Sequence, residues 1–138
     1  MSRAAVYTLV STDATVQSLG IPVGAVYASN AQDTPQDESE MFVILRWEEK
    51  TVTFGDNVLG THKGTQFLSV WVHSRGRAYD PINAVLARIK TILTSAVHVL
   101  GADGVTLTQA DYTGESGDLY DDGFHTLTRY HSYRIACR

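Results

Sequence analysis

The sequence has little of the chemistry that staples small folds together. Cys137 is its one cysteine, which excludes an intrachain disulfide. The histidines are His62, His73, His98, His125 and His131, and no two stand four apart as in a helical zinc site. Cys137 also lacks a Cys-x-x-Cys partner, so no metal or cofactor is expected. No apolar run approaches the ~18–20 residues of a membrane span. The opening Met1-Ser2-Arg3-Ala4-Ala5 lacks the long apolar stretch of a secretory signal. Basic charge is scarce too. Lys and Arg number 11 against 15 Asp and Glu, a net charge of −4, which is the wrong balance for a dedicated nucleic-acid binder.

What is present is enough to fold. The chain has 138 residues, 43% apolar and 19% charged, a globular composition of single-domain size. A chain of this length buries about two-thirds of its unfolded surface. The reading is therefore one soluble, acidic domain over residues 1–138, made in the cytosol.

Local patterns place the elements. Ala5, Val6, Leu9 and Val10 share one helical face. Ser11-Thr12-Asp13 breaks that helix and supplies a new cap. A short helix from Ala14 to Leu19 follows, and Gly20 closes it. From Ala28 to Glu40 almost nothing is apolar, which predicts a long exposed loop. Met41 to Trp47 is apolar on both alternating faces, as in a strand covered on two sides over much of its length. Thr51 to Phe54 predicts a short strand. Thr65 to His73 predicts a longer one, with Leu68, Val70 and Val72 on one face and Phe67, Ser69, Trp71 and His73 on the other.

The strongest periodicity runs from Pro81 to Leu100. Ile82, Val85, Leu86, Ile89, Leu93, Ala96, Val97 and Leu100 form an apolar stripe. Asp80 is the expected cap, Pro81 the first helical residue and Gly101 the stop. A strand from Val105 to Tyr112, an acidic loop to Gly123 and a strand from Thr126 to Ala136 complete the chain. The order predicts an α+β fold: a mixed, mainly antiparallel sheet of about four to five strands with helices on one face.

Catalytic motifs are approached and missed. In Gly55 to Lys63, Thr61 stands where a P-loop needs lysine, and a strand follows where a helix should. Gly114-Glu115-Ser116-Gly117 is one residue short of a nucleophile elbow and leads into a loop. Charge is more informative. Residues 103–123 contain Asp103, Asp111, Glu115, Asp118, Asp121 and Asp122 with no Lys or Arg, whereas residues 124–138 contain Arg129, Arg134 and Arg138 with no acid. Such opposed segments suit a charged surface or contacts between identical subunits.

Four stretches together resemble the tail terminator proteins of long-tailed, siphovirus-type phages, particularly those of actinobacterial hosts. They are Met41-Phe42-Val43-Ile44-Leu45-Arg46-Trp47-Glu48-Glu49, Leu68 to His73, Asp80 to Gly104, and Asp103-Gly104-Val105 through Asp118-Leu119-Tyr120-Asp121-Asp122-Gly123-Phe124 to Ile135. Leu119 to Tyr133 carries most of the likeness, which spans about Val6 to Ile135. The resemblance implies a non-enzymatic subunit without catalytic, cofactor or metal residues. It implies a homohexameric ring at the tail–neck junction of a virion. That ring caps the head-proximal end of the tail tube, stops tube polymerisation and meets the head-completion (stopper) protein and the tape measure protein. DNA passes through the lumen without specific binding, and no membrane is involved.

Under this reading Asp118, Asp121 and Asp122 are candidates for the lumen or a ring interface. Arg46, Arg129 and Arg134 are candidates for salt bridges between subunits. Two alternatives accompany it: another neck component, such as a head–tail joining or minor tail protein, and a small enzyme using the Asp111–Asp122 cluster.

Overall fold

The computed structural model describes residues 3–27, 40–48, 52–53 and 64–137. The expected loop at 28–40, except Glu40, and the turn at 55–63 lie outside the described residues.

Two short helices open the chain. α1 (Arg3–Ser11) buries Ala5, Val6 and Val10. α2 (Ala14–Ser18) is capped as expected, with the Asp13 carboxylate accepting from the Val16 N–H at 2.9 Å. Gly20 then turns the chain at φ +110°, a backbone region that costs side-chain-bearing residues strain. A Cβ there would stand 3.8 Å from the Met41 sulfur, so the obstacle is backbone strain and not space. Replacing Gly20 with Ala should cost about 1 kcal/mol or more, read as a lower urea midpoint. An unchanged midpoint would show that the turn adapts.

The sheet contains β1 (Val26–Tyr27), β2 (Met41–Trp47), β3 (Val52–Thr53), β4 (Gly64–Ser74), β5 (Val99–Leu100), β6 (Thr106–Glu115), β7 (Leu119–Asp121) and β8 (Thr126–Cys137). Its order is β1-β2-β4-β8-β6-β5, with β3 beside β4 and β7 beside β8. Only β1 with β2 is parallel. The architecture is α+β. All the strands read from sequence are present, and the count exceeds four to five because β1, β5 and β7 are two- or three-residue pieces. Segments that short carry no readable alternation.

Alternation sorts the two faces. Leu68, Val70 and Val72 of β4 are at most 1% exposed, and they share one core with Ile82, Val85, Leu86, Ile89 and Leu93 of the main helix. On the opposite face Phe67, Ser69 and Trp71 are half-buried. Each fully buried aliphatic side chain contributes about 1.5–3 kcal/mol, so the helix side dominates stability. The second face of β2 grades from buried Phe42 through half-buried Ile44 to exposed Arg46. The strand is thus covered on both sides over much of its length, as expected, and Arg46 is its one exposed position.

The main helix, α3 (Asp80–Ser95), departs from the sequence reading at both ends. It starts one residue early, with Tyr79 at the cap and Asp80 inside the first turn. It also stops at Ser95 instead of reaching Leu100. Ala96 is already extended at ψ 123°, His98 takes φ 53°, and Val99 pairs with Leu107. The stripe continued on paper, but Val97 and Leu100 are 58% and 68% exposed. The Thr91, Thr94 and Ser95 hydroxyls bond back to carbonyls of the preceding turn, a competition that weakens helices. Pairing with β6 then outweighs the local preference.

The predicted acidic loop is mostly strand. β6 continues to Glu115 and β7 resumes at Leu119. Only residues 116–118 and the turn at 122–125 lie outside strands. Polar side chains at an edge strand give no apolar alternation, so periodicity could not report it.

Candidate functional site

The charged residues singled out from sequence gather along β6, β7 and β8, and Arg129 is the hub. Its register opposite Val72 puts it on the helix side of the sheet. There Nη1 donates to Asn83 Oδ1 of α3 at 2.6 Å, and Nη2 donates to the Ser116 carbonyl at 3.0 Å. Nε stands 3.5 Å from Asp118 Oδ1. One guanidinium thus ties α3, the β6–β7 link and β8 together, using the fork geometry that lysine lacks.

Ser116 completes this junction. Its N–H donates to the Tyr130 carbonyl, and its hydroxyl accepts from the Tyr130 N–H and donates to Gly117 O, all at 2.9 Å. The near-miss serine motif is thus a structural joint. Tyr79 adds a tie from its hydroxyl to the Leu119 carbonyl at 2.8 Å. Sequence reasoning missed Tyr79 and Asn83, and it singled out Ser116 without its tie to Arg129. Only the fold brings them to Arg129.

Two more ion pairs follow β8. Arg134 Nη2 donates to Asp111 Oδ2 at 2.9 Å, and Gln109 reaches the other oxygen at 2.7 Å. Arg134 and Gln109 hold the Asp111 carboxyl below its ordinary range. His131 Nε2 stands 3.4 Å from Glu115 Oε2. Burial pushes the His131 imidazole down, against the pull of Glu115. Tyr112 packs edge-on against His131 at 5.1 Å, and Lys90 of α3 lies 3.9 Å from the Tyr112 ring centroid. Burial raises the Tyr133 hydroxyl far above its ordinary range.

The remaining candidates stand apart. Asp121 accepts from the Phe124 N–H at 2.9 Å, which shapes the turn. Asp122 is exposed in that turn. Arg46 is exposed on the second face of β2, two strands away from β8. The cluster from Asp111 to Asp122 does not converge. Asp111 pairs with Arg134 on the second face, whereas Glu115 and Asp118 face His131 and Arg129 on the helix side. Each of these three carboxylates already has a basic partner. Acid–base catalysis by a carboxylate pair needs two groups aimed at one reacting position, and this arrangement supplies none.

A separate aromatic cluster closes the β7–β8 end. His73 stacks on Phe42 at 4.7 Å with 3° between the rings, and Phe124 packs edge-on against both. His73 Nδ1 lies 2.8 Å from Thr126 Oγ1. Burial drives the His73 pKa down to about 4, with Asp121 pulling weakly upward. Among the described residues, no three His, Cys, Asp or Glu side chains are placed to hold a metal ion.

No protein-family model and no curated protein matches the sequence. A search of solved structures finds similarity to a chain from the virion of a native gene transfer agent particle. The TM-score is 0.72 at 16% identity, covering 98% of this chain and 92% of that one. At that identity the likeness establishes a common fold, from end to end, with a chain of a virion particle.

Proposed function

We propose that the chain is a structural component of a phage-like virion and serves there as the tail terminator. The observation that carries this reading is the end-to-end fold match to a virion chain. The succession of motifs from Arg46-Trp47 to Leu119–Tyr133 supports the finer assignment, and carboxylates that do not converge speak for a non-enzyme. The chain acts as a six-membered ring on the head-proximal end of the tail tube. It stops tube growth, meets the stopper protein above and the tube and tape measure proteins below, and lets DNA pass.

The charge suits that role. Six copies at −4 each make a ring of −24, which repels phosphate and offers no counterion-release gain to hold DNA. Of the three candidate aspartates, Asp122 and Asp118 are exposed and free to face a lumen, whereas Asp121 is half-buried in its turn. Arg129 and Arg134 hold partners within their own chain, which leaves Arg46 as the strongest of the three arginines for a subunit contact.

Deletion of the gene from its particle, with electron microscopy of the products, tests the assignment. Overlong tails without heads are expected. Normal-length tails beside leaky heads would instead assign the chain to the head-side joining position. Intact, infectious-looking particles would remove it from the neck altogether.

A further inference from the structure

Three polar rings meet on the helix side of the sheet. His131 and Tyr133 stand on β8 opposite Val70 and Leu68 of β4, so both side chains point to the core face. Tyr112 of β6 is the cross-strand neighbour of Tyr133. The ring centroids form a triangle, 5.1 Å from Tyr112 to His131, 5.9 Å from Tyr112 to Tyr133 and 6.4 Å from His131 to Tyr133. Lys90 of α3 stands over the Tyr112 ring at 3.9 Å, and Glu115 stands beside His131.

Two polar atoms of this triangle are buried and have no hydrogen-bond partner among the described residues: His131 Nδ1 and the Tyr133 hydroxyl. His131 is 8% exposed and Tyr133 0%. Folded interiors pair nearly all such atoms, with protein groups or with ordered water.

The two orphans have matching roles. His131 turns Nε2 toward Glu115 Oε2 at 3.4 Å. A carboxylate accepts and does not donate, so Nε2 carries the ring proton and Nδ1 is a bare acceptor. The Tyr133 hydroxyl has a proton to give. Burial keeps the imidazole neutral against the pull of Glu115, and Lys90 and Arg129 add to that effect. Those two cations also repel a metal ion or an ammonium group, and Glu115 repels an anion. A neutral molecule able to accept one hydrogen bond and donate another is what remains. A buried water needs at least two polar partners, and this pair supplies them.

We propose that an internal water site lies here, in which one ordered water accepts from the Tyr133 hydroxyl and donates to His131 Nδ1. The bridge holds the imidazole with its Nε2 proton aimed at Glu115. It acts where the backbone ladder is interrupted. The β6–β8 register shifts between Tyr112 and Gly114, and Glu115 is the last residue of β6. A side-chain tie from His131 to Glu115 secures the strand end beyond that bulge. The site does not depend on the terminator role.

A crystal structure of the full chain tests the site directly, with an ordered water expected within hydrogen-bond distance of both atoms. A hydroxyl bonded straight to the imidazole, or resting on the Tyr112 ring with no water beside it, would overturn the proposal. Nitrogen NMR of the imidazole at neutral pH should show the Nε2–H tautomer, and the Nδ1–H tautomer would count against the bridge. Tyr133→Phe removes one oxygen and keeps the ring, so the variant folds. Urea unfolding should show its folded-to-unfolded ratio lowered about three- to tenfold. A dry, unpaired hydroxyl would give the opposite sign, a ratio unchanged or raised, and that result would sink the water site.

Discussion

Replacing Phe42 with Ala should cost about 3–5 kcal/mol, the range for removing a buried phenyl ring. Phe42 is 0% exposed, although it lies on the second face of the sheet, away from the helices. Its ring stacks on His73 at 4.7 Å and takes edges from Phe124 at 5.4 Å and Tyr27 at 6.2 Å. Arg75 lies 5.4 Å from the ring centroid on top. Truncation therefore opens a cavity between β2, β4 and the β7–β8 turn, and none of those rings can fill it without leaving its own partners. Urea unfolding at neutral pH measures the loss. Phe42→Leu keeps most of the volume and should cost less than about 1.5 kcal/mol. A Phe42→Ala cost below about 1 kcal/mol would show that the second face is not a core of its own.

Acid should weaken the fold well before the carboxylates titrate. The His73 pKa sits at about 4 in the folded chain, against about 6.5 when unfolded. At neutral pH both states are uncharged and His73 costs nothing. As pH falls below about 6.5 the unfolded chain gains a proton that the folded chain refuses, so stability drops until the folded imidazole titrates near 4. The whole effect is roughly 3 kcal/mol. His131, also lowered by burial, adds to the loss in the same direction. Asp13 and Asp111 lie below the ordinary carboxylate range through Arg88 and Arg134, so their contributions fade only at lower pH, as they protonate.

His73→Phe isolates the first term. The phenyl ring preserves the stack on Phe42 and cannot titrate, and the lost bond to Thr126 is a pH-independent offset. The urea midpoint of His73→Phe relative to wild type should rise as pH falls from 7 to about 4, by the whole His73 contribution, so that a variant less stable at pH 7 becomes the more stable one in acid. Parallel curves would show that His73 is not the group responsible.

Both experiments probe the second face, whose importance was only half visible in the sequence. Alternation in Phe67, Ser69, Trp71 and His73 mixes polar with aromatic residues and reads as a face of intermediate burial. Nothing near His73 in the chain announces Thr126 or Phe124, which arrive from 53 and 51 positions away. The same holds for the Arg129 junction. Arg129 and Asp118 were legible as opposite charges on neighbouring segments, but the part played by Asn83 and by Ser116 was not, because an uncharged side chain gives no sign of its partner.

The sequence by itself determined the local turns of this protein: where α1 breaks, how Asp13 caps α2, why Gly20 ends it, and which sides of β4 and α3 face the core. Capping, left-handed backbone and apolar period act over a few residues, so a short window contains their cause. Tertiary structure decided where α3 stops, that the acidic stretch is strand, and which charges are already paired. Those outcomes depend on contacts between distant segments. Val99 meets Leu107, Asp111 meets Arg134 and Arg129 meets Asn83 only after the sheet assembles. The charge opposition read from residues 103–138 is therefore largely settled inside one copy. Arg46 and the outward parts of Glu115 and Asp118 stay exposed to solvent.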